Sequence, residues 1–152
     1  MKIIKSDITL ETSGLIIHGT NTRGVMGAGA ALAIRNRWPI VYEKFLERGK
    51  GKHLLGTLDI IKVADELYVG NLYSQEDYGR DGGRYADLSA IDVGLHKAFM
   101  WCYLNDMQLK STMIGCQLGG LDWESEIKPL FLKYEDRFHD GKTSLEAEIY
   151  YI

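Results

Sequence analysis

A glycine-rich stretch from His18 to Ala31 has residue types suited to holding an anion. The apolar residues Leu15, Ile16 and Ile17 lead into it, and an alanine-rich segment follows. This order predicts a strand, a loop and the start of a helix. Main-chain N–H groups lack partners at such a helix start, and glycines leave no side chains to block approach. The stretch therefore predicts a cradle for a phosphate or diphosphate.

A second glycine loop, Gln117–Gly120, follows the predicted strand Ser111–Cys116. Ligands of open α/β sheets collect at the carboxyl ends of strands, so two such loops can clamp a diphosphate from two sides. The alternative, that these glycines only form tight turns, stays open at this point. The sequence lacks the G-x-x-x-x-G-K-[ST] pattern of nucleotidases, and the acidic residue expected of a dinucleotide-binding fold falls on a helix as Glu43.

Hydrophobic periodicity predicts the elements that carry these loops. The predicted strands are Met1–Lys5, Gly14–His18, Thr57–Val63, Leu67–Tyr73, Ser111–Cys116 and Glu146–Ile152, and the predicted helices are Ala28–Arg37, Pro39–Arg48, Leu88–Cys102 and Ile127–Phe138. We expect Leu121–Lys128 to be a separate tight turn, because Pro129 interrupts the last helix, and Ser74–Tyr85 to be a long loop. The order favours an α/β fold, a three-layer α/β/α sandwich around a central mixed β-sheet.

Composition limits the classes of function. The 152 residues suit one domain over 1–152, and a net charge of −3 argues against a basic nucleic-acid-binding face. Cys102 and Cys116 belong to no metal-ligand cluster, so we expect no metal. The sequence shows no secretory segment and no apolar run of ~20 residues, which predicts a cytoplasmic protein without membrane contact. We expect a monomer.

Three segments, Lys5–Thr9, Asn21–Ala31 and Ile114–Trp123, resemble the motifs of the macrodomain family in order and separation. They are most similar to the branch with yeast-type ADP-ribose 1″-phosphate phosphatases and terminal ADP-ribose glycohydrolases. The resemblance covers essentially the whole chain. It implies a pocket for ADP-ribose or ADP-ribose 1″-phosphate, no cofactor, and an ADP-ribosylated macromolecule as a further partner.

The resemblance also implies ligand-binding roles. Asp7 accepts a hydrogen bond from the adenine amine, beside the backbone of Ile8, and Asn21 binds the distal ribose, which Tyr78 covers. The residues implied around the distal ribose and its phosphate are Gly24, Val25, Met26, Gly27, Ala28 and Gly29. Those implied on the other side of the diphosphate are Cys116, Gln117, Leu118, Gly119 and Gly120.

For catalysis, the phosphatase branch implies His18, at the end of its strand, as nucleophile or general acid–base. Asp77 or Asp81 then assists, and Arg80 and Arg84 are candidates for a terminal phosphate. The implied reaction is hydrolysis of ADP-ribose 1″-phosphate to ADP-ribose and phosphate. The alternatives are a hydrolase that removes ADP-ribose from protein or nucleic acid with water held by Asn21 or a loop aspartate, and a non-catalytic reader.

Two departures from the resembling glycohydrolases argue against a covalent lysine mechanism. Those that act on glutamate or DNA place a lysine where this chain has Ser74 and Gln75, and the terminal glycohydrolases have an aspartate where it has Gly119. Asp122, directly before Trp123, is better explained as a cap on the following turn.

Overall fold

The structure, a computed structural model, describes residues 1–79, 81–139 and 145–152 and contains one mixed six-stranded sheet. The strands are β1 (Lys2–Lys5), β2 (Gly14–Asn21), β3 (Leu58–Ala64), β4 (Leu67–Gln75), β5 (Leu109–Thr112) and β6 (Glu148–Tyr151). The α-helices are α1 (Gly29–Arg37), α2 (Pro39–Arg48), α3 (Leu88–Asn105) and α4 (Lys128–Arg137). The strand order is β1-β6-β5-β2-β4-β3, and every neighbouring pair is parallel except the antiparallel pair β3–β4.

The central strand β2 separates two apolar cores. Successive side chains of a strand point to opposite faces, so Leu15 and Ile17 pack in the core formed with α3 and α4. Ile16 packs in the other core, which α1 and α2 cover. Helices therefore lie on both faces of the sheet, and the predicted three-layer α/β/α sandwich is confirmed.

The predicted ends of β2, β4 and β5, which lead into the loops at this edge of the sheet, are wrong by two to four residues. β2 continues to Asn21 and β4 to Gln75, because the two strands stay paired beyond an irregularity at Thr20. β5 ends at Thr112, four residues before Cys116, which therefore lies in a turn rather than at the end of a strand.

The predicted break before the last helix is confirmed. A π-helical turn, Trp123–Ile127, precedes α4. Pro129 lies in the first turn of α4, where proline is tolerated because the backbone N–H that it lacks would have no partner within the helix. Asp122 caps this turn, since its Oδ2 accepts hydrogen bonds from the amide and hydroxyl of Ser125, at 2.9 and 2.7 Å. No helix in the described ranges is long and apolar enough to span a membrane.

Candidate functional site

A cleft of about 550 Å³ opens at the carboxyl ends of the parallel strands β2, β4, β5 and β6. Its walls include the 3₁₀ turn Ile8–Leu10 near β1, the loop between β2 and α1, and the segment after β5. This volume falls within the ~300–1,000 Å³ of typical small-molecule pockets. A cleft large enough for a dinucleotide-sized molecule therefore lies at the edge of the sheet where the sequence predicts a ligand site.

The first glycine loop, 22–28, is held in shape by the side chain of Asn21. Asn21 Oδ1 accepts hydrogen bonds from the amides of Arg23 and Val25 at 3.0 and 3.2 Å, and its Nδ2 donates to the Val25 carbonyl at 2.8 Å. The loop ends at α1, whose N-cap residue Ala28 offers no side-chain cap. The first amides of α1 therefore remain open to a ligand in the cleft.

The second glycine loop faces the first across the cleft. Gln117, Leu118 and Gly119 line the opposite wall, and a Cβ atom placed on Gly29 would lie 3.8 Å from Leu118 Cδ1. Gly120 has a φ of +79° and packs against Gly83, so it forms the turn and leaves the lining to its neighbours. Main-chain amides of the two loops can thus reach one ligand between them.

Asp7 lies at one end of the cleft and is the one charged side chain among the described residues that line it. Asp7 Oδ1 accepts hydrogen bonds from the amide and hydroxyl of Thr9 at 2.9 and 2.7 Å, and these bonds hold the pKa of Asp7 below its ordinary value. Asp7 is therefore an ionised acceptor at neutral pH. Its Oδ2 makes no hydrogen bond within the described part of the chain and is available to a ligand donor.

His18 lies in the core beneath α1 and α2 instead of in the cleft. It is 1% exposed, and its Nε2 lies 2.6 Å from Asn71 Oδ1. Burial lowers its pKa to about 4, although the Asn71 bond works in the opposite direction. This position disagrees with the expectation that His18 acts on the ligand. β2 continues for three residues beyond His18, and the His18 side chain faces away from the opening of the cleft.

The loop carboxylates are also engaged outside the cleft. Asp77 Oδ2 lies 3.6 Å from the guanidinium of Arg23, and Asp81 Oδ1 accepts from the Tyr85 hydroxyl at 2.6 Å. Neither residue lines the cleft, whereas Tyr78 does. Arg84 forms a two-pronged pair with Glu126, at 2.7 and 3.1 Å, and Arg80 lies outside the described residues.

The predicted ligand-binding residues divide into two groups. Those that line the cleft are Asp7, Ile8, Asn21, Val25, Gly27, Ala28, Gly29, Gln117, Leu118, Gly119 and Tyr78. Those that do not line it are Gly24, Met26, Cys116 and Gly120; the Met26 side chain is buried in the core beneath α1, and the other three belong to turns that shape the walls.

Sequence reasoning missed the lining residues contributed by strand ends. Thr20, Ser74, Gln75, Thr112 and Tyr150 all lie in the cleft wall. Each of these residues lies at the carboxyl end of a parallel strand, where a ligand site is expected. They were not identified because the ends of β2, β4 and β5 were predicted at other residues. The described residues include no group of three or more His, Cys, Asp or Glu side chains placed to hold a metal ion.

Comparison with solved structures relates this arrangement to known proteins. The macrodomain of Mycobacterium tuberculosis DarG superposes with a TM-score of 0.79 over 98% of this chain and 95% of that chain, at 20% sequence identity. The chain has the macrodomain fold. Thermosipho africanus DarTG in complex with ADP-ribose contains the same macrodomain fold, with a TM-score of 0.76 over 97% of this chain and 40% of that chain, at 20% identity.

Sequence comparison finds similarity to one curated protein. A DNA ADP-ribosyl transferase–DNA ADP-ribosyl glycohydrolase fusion protein of Thermosipho africanus is 26% identical over 154 aligned residues, which cover 88% of this chain. The alignment spans 38% of the length of that protein. No family model matches the chain.

Proposed function

We propose that the cleft binds ADP-ribose. The observation that carries this proposal is the convergence of two glycine loops and the uncapped N-terminus of α1 on one cleft, where the diphosphate is held by main-chain amides. Asp7 accepts from the adenine amine at one end, and Asn21 and Tyr78 adjoin the distal ribose at the other. The structure of DarTG, which has the same fold, is of a complex with ADP-ribose, and this supports the choice of ligand.

We further infer that the protein hydrolyses the bond between ADP-ribose and a modified macromolecule, with ADP-ribosylated DNA as the first candidate. The curated relative, whose name joins a DNA ADP-ribosyl transferase to a DNA ADP-ribosyl glycohydrolase, supports this reaction class. Water adds to the anomeric carbon of the distal ribose, the bond to the macromolecule breaks, and the proton from water ends on the leaving group.

The groups available to orient that water are neutral. Asn21, Ser74, Gln75 and Tyr78 line the distal end, and no lysine lines the described part of the cleft. Gln75 Nε2 donates to the Asp77 carbonyl at 2.7 Å, which holds its side chain in place and leaves its Oε1 as an acceptor. The proposed mechanism therefore relies on positioning and on amide dipoles rather than on a covalent intermediate.

The ADP-ribose 1″-phosphate phosphatase reaction ranks second. Its implied catalytic residue, His18, is buried, bonded to Asn71 and absent from the cleft lining, so it does not face the ligand. The amide cradle still suits a phosphorylated ligand, and ADP-ribose 1″-phosphate therefore belongs in the same test.

Calorimetry with free ADP-ribose tests binding, and the Gly27→Val variant provides the specific probe. A Cβ on Gly27 would have only Val25 Cγ1 nearby, at 3.5 Å, so the fold accommodates the change while the added methyl groups enter the cleft. We expect affinity to fall by about tenfold or more. The exposed Ala64→Val variant on β3 is the matched control and should bind as the wild type does.

Activity is tested on two substrates with the same proteins. Release of ADP-ribose from an ADP-ribosylated oligonucleotide, lost in Gly27→Val, supports the glycohydrolase. Release of phosphate from ADP-ribose 1″-phosphate alone would replace it with the phosphatase. Binding of ADP-ribose without release of either product would show a non-catalytic reader. The absence of any binding heat in the wild type would overturn the whole proposal.

A further inference from the structure

An ion pair between a buried lysine and a partly buried glutamate lies beneath the turn that carries Asp7. Lys110 is on β5, next to the central strand, and is only 7% exposed. Its ammonium donates to Glu11 Oε1 at 2.8 Å. Lys110 takes no part in the cleft lining, so the proposed function gives it no role.

Tyr150, on β6, forms a hydrogen bond with the same Glu11 oxygen. Its hydroxyl donates to Glu11 Oε1 at 2.8 Å, while the residue itself lines the cleft. Burial alone would raise the pKa of Glu11, but the hydrogen bonds from Lys110 and Tyr150 outweigh it and leave the pKa below its ordinary value. Glu11 is therefore a charged acceptor that holds groups from two strands at one point.

Glu11 also ends the 3₁₀ turn that begins at Asp7. Its backbone amide donates to the Ile8 carbonyl at 3.2 Å, which closes the turn, and the Ser6 amide donates to the Tyr151 carbonyl at 2.9 Å on the other side. The turn is thus fastened to the sheet at both ends. The fastening at Ser6 uses the backbone, whereas the fastening at Glu11 depends on side chains and can be removed by substitution.

We propose that Lys110, Glu11 and Tyr150 are positioning residues that fix the direction of the Asp7 carboxylate and thereby set the preference of the cleft for a purine with an exocyclic amine. This inference rests on the proposed binding of ADP-ribose. The Thr9 bonds occupy Asp7 Oδ1, so recognition of the amine falls to Oδ2. A carboxylate oxygen discriminates a donor from an acceptor only when the turn that carries it stays in place.

The test uses a double substitution, because removing one partner would leave a buried charge unpaired. Lys110→Met with Glu11→Gln removes both charges and keeps the side-chain lengths similar. Calorimetry compares ADP-ribose with the analogue that has hypoxanthine in place of adenine, which lacks the amine. Partial unfolding reduces both affinities by the same factor, so their ratio reports the position of Asp7 alone.

In the wild type we expect ADP-ribose to bind about tenfold more tightly than the hypoxanthine analogue, as one hydrogen bond to a charged group predicts. In the double variant the ratio should fall to about two or less, as it should in Asp7→Asn. The double substitution Lys44→Met with Glu47→Gln removes an exposed pair on α2 and should keep the wild-type ratio.

A double variant that keeps the wild-type ratio would overturn the positioning role, and so would a wild type without any preference between the two ligands. A wild type that binds neither ligand would instead overturn the proposed function. If the double variant does not fold, Tyr150→Phe decides the question: it removes one bond to Glu11 and keeps the ring, and its ratio should lie between the wild-type value and one.

Discussion

Asn21 bonds to both main-chain groups of Val25, since its Nδ2 donates to the Val25 carbonyl at 2.8 Å and its Oδ1 accepts from the Val25 amide at 3.2 Å. One side chain therefore closes the glycine loop on itself before any ligand is present. Asn21 was predicted as a ribose-binding and catalytic residue, and the structure adds a role in shaping the loop. A second N–H of its amide remains for a ligand.

The Asn21→Ala variant should separate these roles from ordinary destabilisation. Loss of its hydrogen bonds should lower the free energy of unfolding by about 1–3 kcal/mol and weaken ADP-ribose binding by about tenfold. Chemical denaturation and calorimetry measure the two effects. Asn105→Ala is the matched control, because Asn105 donates to the Trp101 carbonyl at the end of α3, away from the cleft, and should leave affinity unchanged. Equal affinities in all three proteins would remove Asn21 from ligand binding.

Buried His18 should make stability depend on pH. Its pKa is about 4 in the folded protein against 6.5 for an ordinary histidine, so between these values the unfolded chain takes up a proton that the folded protein does not. Full stability is present above pH 6.5 and should decline as the pH falls, by about 3 kcal/mol at pH 4.

Urea denaturation at several pH values measures this slope. His18→Gln should flatten it, because glutamine takes up no proton, while the exposed His53→Gln should keep it. Parallel curves for the wild type and His18→Gln would show that His18 does not titrate on unfolding in this range.

Gly120 and Gly82 form a matched pair for the second loop. Both have positive φ, +79° and +81°, so alanine costs about 1–2 kcal/mol at either position. A Cβ on Gly120 would also collide with the Gly83 carbonyl, whereas nothing lies near a Cβ on Gly82. Gly120→Ala should therefore lower the melting temperature more than Gly82→Ala and also weaken ligand binding. Equal losses of stability in the two variants would contradict the close approach of Gly120 and Gly83.

Both cysteines should be poor nucleophiles in the folded protein. Burial raises the pKa of Cys102 to about 12 and, together with Asp122 and Glu126, the pKa of Cys116 to about 12. Alkylation by iodoacetamide at pH 8 should be at least about tenfold slower than for a free thiol, and unfolding should restore it. Rapid labelling of Cys116 in the native protein, measured by mass spectrometry, would show that the turn after β5 opens readily.

The sequence predicted the layers and the glycine loops, because each depends on local residue type. The apolar run before His18 marks a buried strand, and glycines followed by alanines mark a loop and a helix start. The sandwich follows from the order of such elements and needs no knowledge of which strands pair.

The missed features depend on pairing between distant segments. β2 and β4 continue together to Asn21 and Gln75 past a shift in register, which carries Ser74 and Gln75 into the cleft. The same extension leaves His18 inside the sheet with Asn71 as its neighbour. Hydrophobic periodicity reports neither a bulge nor the face on which a polar side chain at a strand end will lie, so the expected role of His18 could not be checked from the pattern.

Among the residues that the structure describes, the cleft contains amide groups and hydroxyls around its centre and a single charged side chain, Asp7, at one end. An anion held by fixed dipoles at short range loses little attraction when dissolved ions shield distant charges. Affinity at such a site persists at ionic strengths that would strip a ligand from a surface of lysines and arginines. A protein with a net charge of −3 can thus retain a doubly charged diphosphate under physiological salt.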